Sequence, residues 1–376
     1  MDIALEPKAS GRAANPHRGR FEVLDGLRGV AAMFVAVRHS APFFGFTPFF
    51  RSYLAVDLFF ILSGFVICGA YERPLRRGEL SFASFMSARL ARLWPAFVVS
   101  WAIAAALQFG ALDYGATDSW RVGINLAVTS ALSLFFLPFP MFHGVALGPG
   151  NGHVGDLFFL AGPYWSLFFE LIVNAIYAFA ILRLDGRRLA LTVTAAFAVL
   201  CVGAVWRGDF DFGFNWGIEV FGGLARAAFG FFVGVALRRY AFAPAAGRFA
   251  APWPAVVLAV GAVLASPSAG AFDPIVDLAI VGLLFPAIVL AGATAAPGRA
   301  RAIMVALGAA SYPLYVLHFP LAHLVYGFLR GPIVAHAPWS GFVFVGGLTA
   351  LCAVAARRYE EPARKRLRAA LAAWTG

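Results

Sequence analysis

The sequence predicts an all-α membrane protein, a polytopic bundle of about ten transmembrane helices plus one segment that enters the membrane without crossing it. Composition, the length of the apolar blocks and the placement of the arginines support this prediction. Hydrophobic residues make up 61% of the 376 positions and charged residues 13%, with a mean hydropathy of +0.78. A soluble domain is roughly 45–50% apolar and about 25% charged. Lipid must therefore replace water around much of this chain.

The apolar residues fall in blocks about as long as a bilayer is thick, roughly 20 residues. We expect each block to be helical, because a helix satisfies its own backbone hydrogen bonds in lipid. Eleven candidate helices follow along the chain, at 22–46, 53–71, 93–112, 122–139, 164–183, 189–206, 217–237, 254–271, 275–293, 303–328 and 339–356.

The arginines predict the topology, because basic loops stay on the cytoplasmic side of a membrane. Basic loops follow every second block, except that three blocks lie between Arg92 and Arg183. The weakest of these three is 122–139, which is short, contains Asn125 and ends at Pro138. We therefore predict ten complete crossings with both termini cytoplasmic, and a re-entrant or interfacial segment near 122–139 on the outer side.

One membrane domain is predicted over residues 21–366. Residues 1–20 are polar and basic and predict a flexible cytoplasmic tail, and residues 367–376 predict a second cytoplasmic tail. The net charge of +11 does not indicate nucleic-acid binding, because the arginines cluster at the ends of apolar blocks.

Neither a metal site nor a nucleotide site is predicted. The three cysteines, Cys68, Cys201 and Cys352, lie in or beside apolar segments without metal-ligand spacing. The glycine-rich patterns of dinucleotide and ATP sites are absent from the sequence.

The first block carries two polar residues on one helical face. His39 lies 11 residues after Arg28, which places both side chains on the same side, separated by a rise of roughly 16 Å. If Arg28 holds the anionic end of coenzyme A, the thioester could reach His39, and imidazole suits general-base catalysis. The alternative is that His39 bonds a neighbouring helix and Arg28 anchors the inner leaflet.

The second block contains a carboxylate and a pair of small residues. A buried charge is costly and needs a partner, and for Asp57 we expect His39 or Arg38 to serve, with Asp57 orienting the catalytic histidine. The spacing of Ser63 and Gly64 favours close helix packing.

Further buried polar residues lie in later blocks. Arg89 and Arg92 share one helical face and suit phosphate binding, with topological anchoring as the alternative. Glu170 needs either an ion-pair partner or a polar acceptor, and Trp165 suits an interface aromatic. The role of His318 is left open by its position.

At these residues the chain resembles the acyltransferase family 3 of integral membrane proteins, which O-acylate cell-surface and exported glycans. The motifs occur in order over about residues 21–366. They are Arg-x10-His (Arg28, His39), DLFFILSGF (Asp57, Ser63), RxxR before WP (Arg89, Arg92), WSL-x-x-E (Trp165, Glu170), SYPLYVLHFP (Tyr315, His318) and a closing EEP (Glu360, Pro362).

The resemblance implies a ten-helix bundle in the inner (plasma) membrane that transfers an acyl group, usually acetyl, from cytoplasmic acetyl-CoA to a glycan hydroxyl. It makes Arg28 and His39 the catalytic pair and assigns the cofactor to Arg28, Arg89, Arg92 and Ser63. It assigns the acceptor to Glu170, Trp165, Tyr315 and His318. The polar residues alone would also fit a transporter or glycan flippase, or a non-catalytic scaffold. The expected partners are the lipid bilayer, acyl-CoA and a hydroxyl-bearing acceptor, and a homo-oligomer is possible.

Overall fold

The computed structural model describes residues 21–112, 119–139, 155–245 and 251–375. Within these ranges the chain forms helices and contains no β-strand beyond an isolated bridge between Asp156 and Asn215. Eleven principal helices follow one another in the described part of the chain. They are α1 (Glu22–His39), α2 (Phe50–Arg76), α3 (Phe82–Gly110), α4 (Ser119–Leu134), α5 (Tyr164–Ala180), α6 (Gly186–Arg207), α7 (Glu219–Ala241), α8 (Trp253–Ala265), α9 (Gly270–Thr294), α10 (Gly298–Ala335) and α11 (Trp339–Leu371).

Each of the eleven predicted blocks corresponds to one of these helices, so the all-α membrane bundle is confirmed. Seven of them, α2, α3, α6, α7, α9, α10 and α11, are long and apolar enough to cross a membrane. Helices α5 and α8 are shorter and apolar, and α1 includes four charged side chains. The count of ten complete crossings stays a prediction.

Several helix boundaries differ from those expected. Helix α1 ends at His39 rather than at residue 46, and α8 ends at Ala265 rather than at residue 271. Helix α3 begins at Phe82 rather than at residue 93, because the Ser81 hydroxyl accepts a hydrogen bond from the Ser84 backbone and caps a mixed polar turn. Helix α10 passes beyond the block 303–328, and its backbone leaves helical geometry at Leu329. Helical structure after Trp339 continues into the segment predicted as a tail, as far as Thr375.

Successive helices alternate in direction, except that α4 and α5 run the same way, and the connections that the structure describes lie at two ends of the bundle. At one end the C-terminus of α2 meets the α5–α6 connection, where Arg76 donates to the Leu184 carbonyl at 2.9 Å. At the same end the first residues of α1 and α10 meet in the Arg301–Glu22 ion pair at 2.6 Å. We call this the arginine-rich end, and the other the opposite end.

Different connections meet at the opposite end. Ser340, at the start of α11, donates to the Phe43 carbonyl in the α1–α2 connection at 2.7 Å. The backbone of Leu157, before α5, donates to the Phe214 carbonyl in the α6–α7 connection at 2.8 Å. These hydrogen bonds link the α1–α2 connection to the start of α11, and the segment before α5 to the α6–α7 connection.

Helix α4 enters the bundle from the opposite end, alongside α3. Trp101 donates from its indole nitrogen to the Ser130 carbonyl at 2.8 Å, and Trp94 donates to the Leu134 carbonyl at 3.1 Å. The helix therefore ends beside Trp94, near the middle of α3, and the chain turns at Phe136 with a φ of 60°. The re-entrant or interfacial character of this segment stays a prediction.

Glycines allow α2 to pack closely against α7, and α1 to pack closely against α10. A Cβ at Gly64 would lie 1.9 Å from the Phe231 carbonyl oxygen, so α2 and α7 touch through their backbones. This confirms packing as the role of Gly64. A Cβ at Gly29 would lie 2.5 Å from the Leu307 Cβ. The close α1–α10 contact brings His39 and His318, which are distant in sequence, next to each other.

Candidate functional site

Two cavities adjoin inside the bundle. The first, the basic cavity, has a volume of about 250 Å³ and is lined by polar residues that include Arg28, Ser63, Arg89, Arg92, Glu170, Ser311 and Arg368. The second, the histidine cavity, has a volume of about 420 Å³ and is lined by residues that include Arg38, His39, Ser52, Tyr53, Trp165, Asp211 and Arg226. The two cavities share Val56 and Tyr315 as lining residues.

The cavities lie toward opposite ends of the bundle. The basic cavity is lined by the first half of α1 and α3, the second half of α2 and the final turns of α11, all at the arginine-rich end. The histidine cavity is lined by the last residues of α1 and by the connections before α5 and before α7. Arg28 and His39, expected to share one cavity, therefore line two adjoining cavities.

A carboxylate lies among the arginines of the basic cavity. One oxygen of Glu170 accepts hydrogen bonds from Arg89 and from the Ser63 hydroxyl, each at 3.0 Å. The sequence assigned Glu170 to the acceptor and Arg89 and Ser63 to the cofactor, and the structure joins all three. Glu170 balances the charge of Arg89, which is nearly buried.

The other arginines of the basic cavity keep N–H groups for a ligand. Arg28 donates to Ser311 at 3.2 Å and lies 3.5 Å from Asp25, a long contact for an ion pair. Arg92 and Arg368 make no hydrogen bond or ion pair with another residue in the described ranges. The basic cavity therefore offers guanidinium N–H groups at its wall, while the buried Glu360 carboxylate acts electrostatically on Arg92 and Arg28.

Arg368 was missed by the sequence analysis. It lies in the segment interpreted as a tail, and the structure places it on the helical extension that packs against α3. The available signal was its spacing, because Arg364 and Arg368 are four residues apart and so share one face of a helix.

The Nδ1 atom of His39 lies within hydrogen-bond distance of two polar atoms. This atom lies 3.0 Å from the Val35 carbonyl oxygen and 3.1 Å from Nε2 of His318. His318 is fully buried, and its own Nδ1 lies 3.2 Å from the Leu314 carbonyl oxygen. His318 was expected among the acceptor-binding residues, but it lines neither cavity and contacts His39 instead.

The expectation that His39 or Arg38 pairs with Asp57 is wrong. Both oxygens of Asp57 bond Arg226, at 3.0 and 2.6 Å, and both side chains are fully buried. Arg226 also donates to the Phe212 carbonyl at 2.7 Å, so the pair fixes the connection before α7. The sequence analysis missed Arg226, although the rule that a charge within a span needs a partner applies to it.

The second arginine of the histidine cavity is also paired. Arg38 bonds Asp211 at 2.5 Å and lies over the Tyr53 ring at 5.0 Å. Trp165 lines the same cavity, with the Arg226 guanidinium 5.1 Å from its ring centre. This cavity thus combines aromatic faces with arginines whose charges are balanced.

Tyr315 stands where the two cavities meet. Its hydroxyl lies 2.5 Å from the Ser166 hydroxyl and 3.2 Å from the Pro163 carbonyl oxygen. Its ring packs against Phe59 with the centroids 5.5 Å apart. Tyr315 therefore forms part of the wall of both cavities.

The described residues contain no group of three or more His, Cys, Asp or Glu side chains that could hold a metal ion. The polar residues at this site are instead donors, acceptors and two imidazoles. Such a set binds anions and polar hydroxyl compounds and transfers protons.

The fold and its two cavities define a polytopic membrane protein with an internal site for polar ligands. The Acyl_transf_3 family model, described as an acyltransferase domain, matches residues 21–358, which is nearly the whole chain. The chain therefore belongs to acyltransferase family 3, and it is a membrane acyltransferase.

Two relatives share sequence similarity with this chain. "Protein 2 in picA locus" of Rhizobium radiobacter is 41% identical over 191 residues, covering 49% of this chain and 95% of that protein. An "Uncharacterized protein" of Haemophilus influenzae is 30% identical over 82 residues, covering 22% of this chain and 33% of that protein. No solved structure matches the chain.

Proposed function

We propose that this protein is an O-acyltransferase that moves an acetyl group from acetyl-CoA in the basic cavity to a carbohydrate hydroxyl in the histidine cavity. The proposal rests on two adjoining cavities that share Val56 and Tyr315 as lining residues and differ in whether their arginines are paired with carboxylates. His39 lies on the wall of one of them. Each ligand then has a separate route to one reaction centre.

The lining of the basic cavity supports an anionic, elongated donor. Its polar wall has four arginines and one glutamate, and guanidinium groups bind phosphate oxygens in a fixed geometry. Another part of its wall is apolar and includes Phe60, Leu62 and Val66. The phosphates of coenzyme A would lie against the arginines and the pantetheine arm along the apolar wall, toward Tyr315.

The lining of the histidine cavity supports a neutral polyhydroxyl acceptor. Its arginines are paired with carboxylates, so an anion gains little there, while Ser52, Asp211 and Trp165 offer polar groups and an aromatic face. A sugar presents hydroxyls at its edge and an apolar face to an aromatic ring, which matches this wall.

The proposed chemistry uses His39 as general base. The acceptor hydroxyl oxygen attacks the thioester carbonyl carbon while His39 takes the hydroxyl proton. The carbon–sulfur bond then breaks, and the coenzyme A thiolate leaves with the proton returned from the imidazolium. The products are an ester and free coenzyme A, and His39 is regenerated neutral.

The same proposal places the arginine-rich end in the cytoplasm of the cell, with the bundle in the inner membrane and both ends of the described chain cytoplasmic. Retention of basic connections on the cytoplasmic side supports this orientation, because the connections with Arg73, Arg183, Arg238 and Arg357 lie at that end. Acetyl-CoA is a cytoplasmic metabolite, and the basic cavity lies toward the same side.

Family membership favours acyl transfer over the transporter or flippase that the polar residues alone leave open. The discriminating quantity is coenzyme A. A transferase releases one free thiol for each ester formed, whereas a transporter moves its substrate without consuming thioester.

The test uses native membrane vesicles, which supply the endogenous acceptor, and [1-14C]acetyl-CoA. We expect His39→Ala to lower alkali-labile label in the glycan fraction by roughly 10²- to 10⁴-fold, the range of a lost general base. His336→Ala is the matched control, because His336 is exposed at the end of α10 and lines neither cavity. Full labelling by a folded His39→Ala protein would reject the proposed function.

A further inference from the structure

The two buried histidines form a pair whose protons are fixed by their backbone neighbours. The Nδ1 atom of His318 lies 3.2 Å from the Leu314 carbonyl oxygen. A carbonyl oxygen only accepts hydrogen bonds, so the proton of neutral His318 resides on Nδ1. Its Nε2 atom then has a free lone pair and acts as an acceptor.

The same reasoning fixes His39. Its Nδ1 atom faces two acceptors, the Val35 carbonyl oxygen at 3.0 Å and the His318 Nε2 atom at 3.1 Å. Neutral His39 therefore has its proton on Nδ1, shared between these acceptors. The Nε2 atom of His39 is left unprotonated, which is the state a general base requires.

An acid usually orients a catalytic histidine in this way, and here the nearby acids are engaged elsewhere. Asp57 bonds Arg226, and Asp211 bonds Arg38. Within the described ranges, the hydrogen-bond partners of His39 are the Val35 carbonyl and His318. His318 therefore occupies the place of the orienting carboxylate.

We propose that His318 is a positioning residue that fixes the tautomer of His39 and stabilises the imidazolium formed during acyl transfer. It acts through His39 and contacts no substrate, since it lines neither cavity. The inference rests on the proposed role of His39 as general base. It replaces the acceptor-binding role that the family resemblance implied for His318.

Two variants, His318→Asn and His318→Gln, test the proposal, because their amide side chains differ in length by one methylene group. An asparagine amide reaches only the position of Nδ1, so it keeps a donor to the Leu314 carbonyl but loses the acceptor for His39. A glutamine carbonyl reaches the position of Nε2 and restores that acceptor. Both replacement side chains are polar, and neither is much larger than histidine in volume. Thermal unfolding in detergent checks that each variant is folded.

We expect His318→Asn to lower kcat for transfer from [1-14C]acetyl-CoA by about 10- to 100-fold with KM unchanged, less than the loss from His39→Ala. His318→Gln should recover most of this loss. The double variant His39→Ala/His318→Asn should be no slower than His39→Ala alone, because His318 acts only through His39.

Three results would overturn the positioning role. They are wild-type kcat in His318→Asn, equal losses in folded Asn and Gln variants, or multiplied losses in the double variant. The proposed function fails separately, through full activity of His39→Ala. A protein that needs His39 but tolerates His318→Asn keeps its proposed function and loses only this inference.

Discussion

Arginines line both cavities of the bundle, but the two cavities neutralise them to different extents. In the histidine cavity Arg226 is bonded to both oxygens of Asp57, and Arg38 is bonded to Asp211. In the basic cavity Glu170 balances Arg89, while Arg92 and Arg368 make no hydrogen bond or ion pair in the described part of the chain, and the Glu360 carboxylate acts on Arg92 without a direct contact.

This difference separates structural from ligand-binding arginines. A buried arginine with a complete set of acceptors has no N–H group left for a substrate, and its pairing holds helices together. An arginine on a cavity wall without a carboxylate is available to an anion. The contrast supports our proposal that the anionic donor binds in the basic cavity and a neutral acceptor in the histidine cavity.

The strongest way to break this comparison is to disturb the Asp57–Arg226 pair. Asp57→Ala leaves a buried arginine without its partner, and we expect the free energy of unfolding to fall by about 3–5 kcal/mol. Asp211→Ala, at the partly exposed Arg38 pair, should lower it by no more than about 1 kcal/mol. Denaturant titration of each protein in detergent micelles measures both values.

A double variant separates the structural role of Asp57 from a catalytic one. Asp57→Asn/Arg226→Gln removes both charges and keeps hydrogen-bonding groups at both positions. We expect the folded double variant to transfer label from acetyl-CoA at a rate within about tenfold of the wild type, one power of ten being about 1.4 kcal/mol. A folded double variant without transfer would make Asp57 a catalytic residue after all.

A smaller effect is expected at the basic cavity. Arg92→Ala and Arg368→Ala should each raise the Kd for acetyl-CoA by about 10- to 100-fold, because a charged hydrogen bond contributes roughly 1.5–3 kcal/mol. Stability should change little, since neither side chain has a hydrogen bond or ion pair to lose among the described residues. Equilibrium binding of acetyl-CoA to the purified protein checks the affinity.

Arg366→Ala provides the control for Arg368→Ala. Arg366 lies on the same exposed helical extension and does not line the basic cavity. If both substitutions weaken acetyl-CoA binding equally, general surface charge rather than the cavity attracts the donor, and the comparison of the two cavities loses its basis.

Hydropathy and charge placement were enough to predict the helices and their membrane class. Lipid requires long apolar helices, so the eleven blocks could be recognised without knowledge of their neighbours. The start of α3 at Phe82 and the extension of α11 beyond residue 356 were harder to predict, because amphipathic turns at these helix ends resemble polar connections.

Partners across helices could not be predicted from the sequence. The 11-residue spacing placed Arg28 and His39 on one face of α1, but their difference in depth, roughly 16 Å, puts them on the walls of different cavities. His39 and His318 are 279 residues apart, and Asp57 and Arg226 are 169 apart. Such pairs depend on the rotation and depth of packed helices, which hydropathy does not encode.

The central claim is that the donor reaches the site from the arginine-rich end alone. Sealed native membrane vesicles in two orientations, distinguished by protease cleavage of a C-terminal tag, test it with acetyl-CoA, which does not cross membranes. We predict that added [1-14C]acetyl-CoA labels the endogenous acceptor only in vesicles that expose the C-terminal tag. Equal labelling in vesicles that enclose the tag would contradict the account.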